Sequence, residues 1–138
     1  MKGVLLVNLG SPDSPEKKDV KKYLGQFLMD ERVIDEPLWL RTLLVKGIIL
    51  NTRPKKSAKA YKKIWWDEGS PLIVLSKRLL KQVDKITSVP ISLAMRYGNP
   101  SIEEGIKELS DKGVTDILLI PLYPCLLYTS DAADDLFR

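Results

Sequence analysis

Hydrophobic positions along the chain follow two rhythms. Val4-Leu5-Leu6-Val7-Asn8-Leu9 is an almost unbroken apolar run that stops at Gly10-Ser11-Pro12. A short buried strand closed by turn residues has this pattern. Similar runs cover 90–95 and 116–122. Elsewhere the apolar residues recur every three or four positions, as in Ile102, Ile106 and Leu109, or Leu72, Leu75, Leu79, Leu80 and Val83. That spacing predicts amphipathic helices whose stripes face a core. The elements predicted are strand 3–9, helices 15–28, 37–49, 55–65 and 71–86, strand 90–95, helix 101–112 and strand 116–122.

Several boundaries have a stated cause. Ser14-Pro15 and Ser70-Pro71 each place a capping hydroxyl before a proline suited to the first helical position. Ser101 caps a helix whose Glu103 and Glu104 sit in the first turn, where acids suit the helix dipole. Asp111-Lys112-Gly113 reads as a helix stop. Strands separated by helices predict an α/β fold, a parallel sheet flanked by helices. Three strands are few for so many helices, so the sheet reads as part of a larger α/β domain. The segment 125–138 does not continue the pattern: Thr129 to Asp135 has no apolar period of use to a core. It reads as a tail, either artefactual or disordered.

Charge sharpens this picture. The net charge is +4, but between Pro37 and Trp66 there are eight Lys or Arg and no Asp or Glu. Such a block suits an anionic partner, whether a carboxylate ligand, a phosphate or a membrane surface, or else a solvated helix face. No histidine is present. This removes the commonest general base and metal ligand, so no metal site is expected in the chain itself. A single cysteine, Cys125, allows no internal disulfide, and a reducing cytoplasm is the expected location. No signal peptide is expected after Met1-Lys2-Gly3, and the apolar runs are too short to cross a bilayer.

Four segments could carry chemistry. The turn Asn8-Leu9-Gly10-Ser11-Pro12 lies beyond the end of a strand, where ligands bind in open α/β folds. From Arg53 to Trp66, cations alternate with aromatics, which suits a flat apolar ligand with negative ends. The same composition suits an anionic membrane or a nucleic acid, but no nucleic-acid-binding motif accompanies it and nucleic acid is not expected as a partner. Ala94-Met95-Arg96-Tyr97-Gly98 would place Arg96 at a strand's carboxyl end, where its fork suits a carboxylate. Leu38 to Leu50 is apolar on more than one face: it is either buried all round or presents an apolar lip.

Together these segments resemble the ferrochelatase family, whose members insert ferrous iron into a porphyrin to make haem. The resemblance covers residues 1–124. It rests on Val7-Asn8-Leu9-Gly10-Ser11-Pro12, Phe27-Leu28-Met29-Asp30 with Val33-Ile34-Asp35, Arg53-Pro54-Lys55 with Tyr61, Gly69-Ser70-Pro71, Met95-Arg96-Tyr97-Gly98 and Pro121-Leu122-Tyr123-Pro124. After Pro124 the family usually continues Gln-Tyr-Ser, whereas this chain has Cys125-Leu126-Leu127.

The resemblance implies a two-lobed chelatase-like fold, of which residues 1–124 would be most of the first lobe. It implies that Leu9, Arg53, Tyr61, Ser70, Arg96 and Tyr97 bind the porphyrin and its propionate carboxylates. It implies peripheral membrane contact through Leu38–Leu50. Ferrous iron would be a substrate of the parent enzyme, and no cofactor is expected in this chain. The family's metal-site His, in a His-Ser-x-Pro motif, and a later acid belong to the second lobe. The fragment itself is therefore expected to be inactive. Other readings stay open from the residues alone: a chelatase for another metal and tetrapyrrole, a porphyrin-binding remnant, or a basic membrane- or nucleic-acid-binding module without catalysis.

Overall fold

The computed structural model describes residues 1–124, so the expected tail 125–138 lies outside the described residues. The elements are β1 (Lys2–Gly10), α1 (Lys17–Leu28), α2 (Leu38–Thr42), a π-helical segment (Leu43–Ile49), α3 (Leu50–Ile64), α4 (Pro71–Asp84), β2 (Ile91–Tyr97), α5 (Ile102–Asp111) and β3 (Asp116–Pro121). They form two compact units. One holds Met1–Leu9, Arg78–Arg96 and the chain from Pro100 onward; the other holds Gly10–Lys77 and Tyr97–Asn99.

The first unit is built on an all-parallel sheet in the order β2-β1-β3. The central strand β1 pairs with β3 from Lys2↔Asp116 to Val7↔Pro121. The most apolar segment is thus placed where both its edges are covered. Leu5, Val7, Ala94, Leu109 and Val114 form the core, with Ile102 and Tyr123 packed against it.

Helix α5 opens as its sequence predicts. The Ser101 hydroxyl accepts from Glu104 N–H at 3.1 Å, and the Glu104 carboxylate accepts from Ser101 N–H at 2.7 Å. It closes through Gly113, whose φ of +84° lets Val114 N–H return to the Leu109 carbonyl at 3.1 Å. The expected stripe is only partly buried. Leu109 is inaccessible, but Ile106 remains 44% exposed, because the face it occupies has no covering element among the described residues. The stripe of α4 is corrected in the same way: Val74 and Ser76 are its buried residues, and Leu75 and Leu79 are exposed.

In the second unit, α1 packs against α3 and the π-helical segment. The expected cap at Ser14 does not form. Helix α1 starts at Lys17 after Glu16, and the Ser14 hydroxyl instead donates to the Asp19 carboxylate at 2.6 Å. The expected break before residue 55 is also absent, since helical structure runs without a gap from Leu38 to Ile64. Proline interrupts a helix by removing a donor and crowding the carbonyl four residues back. Here that carbonyl belongs to Leu50, at the junction where the wide π turn gives way to α3. Asn51 and Thr52 donate side-chain hydrogen bonds to the carbonyls of Gly47 and Ile48, both at 2.9 Å, and tie the junction together. Pro54 then points inward and is buried.

Candidate functional site

Two turns at strand ends meet in the second unit. Gly10 closes β1 with φ +123°, and a Cβ there would lie 1.9 Å from the Tyr97 carbonyl oxygen. Gly98 follows β2 with φ +82°, and its Cβ would lie 2.9 Å from the Ser11 carbonyl oxygen. Each turn therefore needs glycine twice over, for its backbone angles and for the closeness of the other turn. The segments Gly10-Ser11 and Tyr97-Gly98 are held backbone against backbone.

The end of α1 grips the second turn. Gln26 Oε1 accepts from Gly98 N–H at 3.0 Å, and one helical turn later Asp30 Oδ2 accepts from the Tyr97 hydroxyl at 2.7 Å. The Asn99 amide donates to both oxygens of Asp13, at 3.1 and 3.2 Å. Phe27 meets the Tyr97 ring edge to face, with centroids 5.1 Å apart, and stacks at 6.2 Å on Tyr23. The Tyr23 hydroxyl donates to the Gly10 carbonyl at 3.3 Å. Burial pushes the Tyr23 phenol well above its ordinary value, and the nearby Tyr61 and Tyr97 push the same way.

The expected site residues divide between the units. Leu9 and Arg96 belong to the first, half-buried at the carboxyl ends of the adjacent strands β1 and β2. Leu9 N–H is held by the Asn8 side chain at 2.8 Å. Arg53, Tyr61, Ser70 and Tyr97 belong to the second. Tyr61 is half-buried, edge-on to Trp65 at 6.2 Å, and burial raises its phenol too. Tyr97 is buried, with its hydroxyl directed to Asp30. Ser70 is buried at the start of α4, just after the tight Trp66–Gly69 pairing. Arg53 stands on the exposed side of α3.

Sequence reasoning gave no role to Gln26 or Asp30. Their signal was present: Tyr23, Gln26, Phe27 and Asp30 repeat at intervals of three and four, one face of a helix. Among the described residues, no three His, Cys, Asp or Glu side chains come together in a way that could hold a metal ion. The chemistry this arrangement offers is recognition of a ligand at strand ends, by aromatics and fixed polar groups.

The sequence model of the ferrochelatase family matches residues 1–134. The chain is 58% identical over 122 residues to the ferrochelatase of Azotobacter vinelandii, an alignment covering 88% of this chain and 36% of that protein. It is 57% identical over 122 residues to that of Stutzerimonas stutzeri, with the same coverage of 88% and 36%. It is 47% identical over 131 residues to that of Vibrio atlanticus, covering 95% of this chain and 41% of the relative. The chain therefore spans between 36% and 41% of the length of these curated relatives. With its paired glycine turns in place and the family's sequence pattern running along nearly its whole length, the chain belongs to the ferrochelatase family.

Proposed function

We propose that this chain is the porphyrin-binding part of a ferrochelatase, a lyase that inserts ferrous iron into a porphyrin in haem biosynthesis. The observation that carries the reading is the locked pair of turns, Gly10-Ser11 against Tyr97-Gly98, built from two of the family's sequence signatures. Leu9, Arg53, Tyr61, Ser70, Arg96 and Tyr97 are the proposed porphyrin contacts. Arginines suit the propionates through bidentate pairing, and aromatic and apolar side chains suit the macrocycle.

In the reaction ferrous iron enters as two pyrrole protons leave. Bending the macrocycle to expose a nitrogen lone pair costs roughly 1–5 kcal/mol, which contacts elsewhere on the ring must supply. Supplying those contacts is the role proposed for this chain. It has no histidine, and the base that takes the pyrrole protons is proposed to belong to the rest of the enzyme.

The test compares the 138-residue chain with a full-length enzyme carrying it. Both are given ferrous iron and a dicarboxylic porphyrin, and insertion is followed by the loss of the free-porphyrin spectrum. The full-length enzyme should turn over, and the chain should stay at the uncatalysed rate. Insertion by the chain alone would refute the division of labour, and an inactive full-length enzyme would refute the assigned reaction.

A specific observation also favours peripheral contact with an anionic membrane. Leu38, Trp39, Leu43 and Ile48 are 64, 70, 59 and 56% exposed, so the segment resolves as an apolar lip with only Val45 buried. The lip itself carries Arg41 and Lys46, and six more cations follow between Arg53 and Lys63. No described helix is long and apolar enough to cross a membrane. An interfacial Trp among apolar neighbours, flanked by Lys and Arg, suits the headgroup region. In flotation with phosphatidylglycerol vesicles, Trp39→Glu should weaken binding of the full-length enzyme roughly tenfold to a hundredfold, since one buried aromatic is worth roughly 1.5–3 kcal/mol. Equal binding by the variant would remove Trp39 from the contact.

A further inference from the structure

We propose that Asp30 is a positioning residue for Tyr97, fixing both where the phenol points and what it can offer a ligand. The proposal rests on the reading of Tyr97 as a porphyrin contact. The carboxylate is nearly enclosed, with its side chain 8% exposed, and it takes the Tyr97 hydroxyl at 2.7 Å. Its other oxygen accepts from Arg32 N–H at 2.9 Å, and the Arg32 guanidinium stands 3.8 Å away.

The dipole of α1 does not favour an acid here, although the Asp30 Oδ1 also closes a turn on the Arg32 N–H. Asp30 follows the last turn of α1, which carries no basic residue. A negative charge at a helix carboxyl end is electrostatically unfavourable. A nearly enclosed carboxylate in a disfavoured place, with one oxygen on the Arg32 N–H and the other on the Tyr97 hydroxyl, points to a role for that phenol.

The geometry also sets polarity. A tyrosine hydroxyl has one proton to donate. With that proton directed to Asp30, the Tyr97 oxygen presents only lone pairs to anything else that reaches it. It then suits an N–H group or a hydrated cation, and disfavours a carboxylate. Phe27 packs edge-on against the same ring at 5.1 Å. Asp30 thus makes Tyr97 an acceptor, suited to a donor group of the ligand rather than to a carboxylate.

A double-mutant cycle in a full-length enzyme carrying this chain tests the assignment. Asp30→Ala, Asp30→Asn, Tyr97→Phe and the two combinations are compared by kcat/KM for iron insertion, by porphyrin Kd from Soret titration, and by thermal melting to confirm folding. Losing a hydrogen bond to a charged group should lower kcat/KM roughly tenfold to a hundredfold in both Asp30→Ala and Tyr97→Phe. Asp30→Asn, which keeps an acceptor oxygen, should recover most of that loss. In the Tyr97→Phe background neither change at Asp30 should lower kcat/KM further.

Independent, multiplying losses at the two positions would overturn the positioning role while leaving Tyr97 in the site. Unchanged Kd and turnover in Tyr97→Phe would overturn it by removing Tyr97 from the site altogether. Should Asp30→Ala fail to fold, the cycle is read on Asp30→Asn. Its smaller loss must likewise vanish with Tyr97→Phe, and persistence of that loss overturns the proposal.

Discussion

Gly10 shows how one residue ties a sequence signature to a structural requirement. In the sequence it is a turn residue after an apolar run. In the structure its φ is +123°, and any Cβ would meet the Tyr97 carbonyl oxygen at 1.9 Å. The backbone angle alone costs a non-glycine residue about 1–3 kcal/mol. The oxygen is main chain and cannot swing aside, so the clash adds to that figure. Gly10→Ala should therefore lower the urea midpoint of a full-length enzyme carrying this chain and weaken porphyrin binding as the two turns separate. A variant with wild-type midpoint and wild-type Kd would show that the turns need not touch. The need for glycine was legible in the sequence; its partner was not. Gly10 and Tyr97 are far apart in the chain, and only the neighbouring placement of β1 and β2 brings their ends together.

At the scale of elements, local signals were read well where they stood alone and poorly where neighbours competed. The Ser101 cap and the Gly113 stop came through as predicted, because each is settled within one turn of helix; the structure adds the reciprocal Glu104 bond that makes the cap a box. Ser14 was misread because Asp19, five residues on, offers its hydroxyl a charged acceptor. The gap expected between helices 37–49 and 55–65 is absent, because nothing in the periodicity announced the π turn before Pro54. The helical stripes were overread: spacing marks a face, while burial needs a partner, as the 44% exposure of Ile106 shows. Gly105 shows the opposite case, a helix pressed close. A Cβ there would lie 2.7 Å from Leu5 Cδ1 and 3.1 Å from Ala94 Cβ. Gly105→Ala gains up to about 1 kcal/mol of helix propensity. Both neighbours belong to the packed core, where overfilling costs about 1–3 kcal/mol. The net change should be destabilising, read as a lower melting temperature in the full-length enzyme. A higher melting temperature would mean that α5 can lift from the sheet at little cost.

At the scale of the whole molecule, β3 poses a problem that its own unit leaves unsolved. Parallel strands are ordinarily covered on both faces, and Ile117-Leu118-Leu119-Ile120 has the unbroken apolar sequence of such a strand. Yet these four residues are 37, 62, 48 and 38% exposed, at a sheet edge. Full burial of each is worth roughly 1.5–3 kcal/mol, so about half of that, some 3–6 kcal/mol for the four, goes unclaimed. A typical domain's net stability is about 5–15 kcal/mol, so the deficit is of the same order as the whole. An open apolar edge is also a template for association. The 138-residue chain expressed alone should therefore bind a hydrophobic dye, elute above its monomer mass and melt without a sharp transition. Leu118→Lys should shift it toward monomer, by placing a charge on the most exposed of these four residues. In a full-length enzyme the same substitution should destabilise, because there the strand is expected to be covered. A monomeric, dye-silent chain with a cooperative melt would show that the open edge is tolerated, and that the first unit's core of Leu5, Val7, Ala94, Leu109 and Val114 suffices by itself.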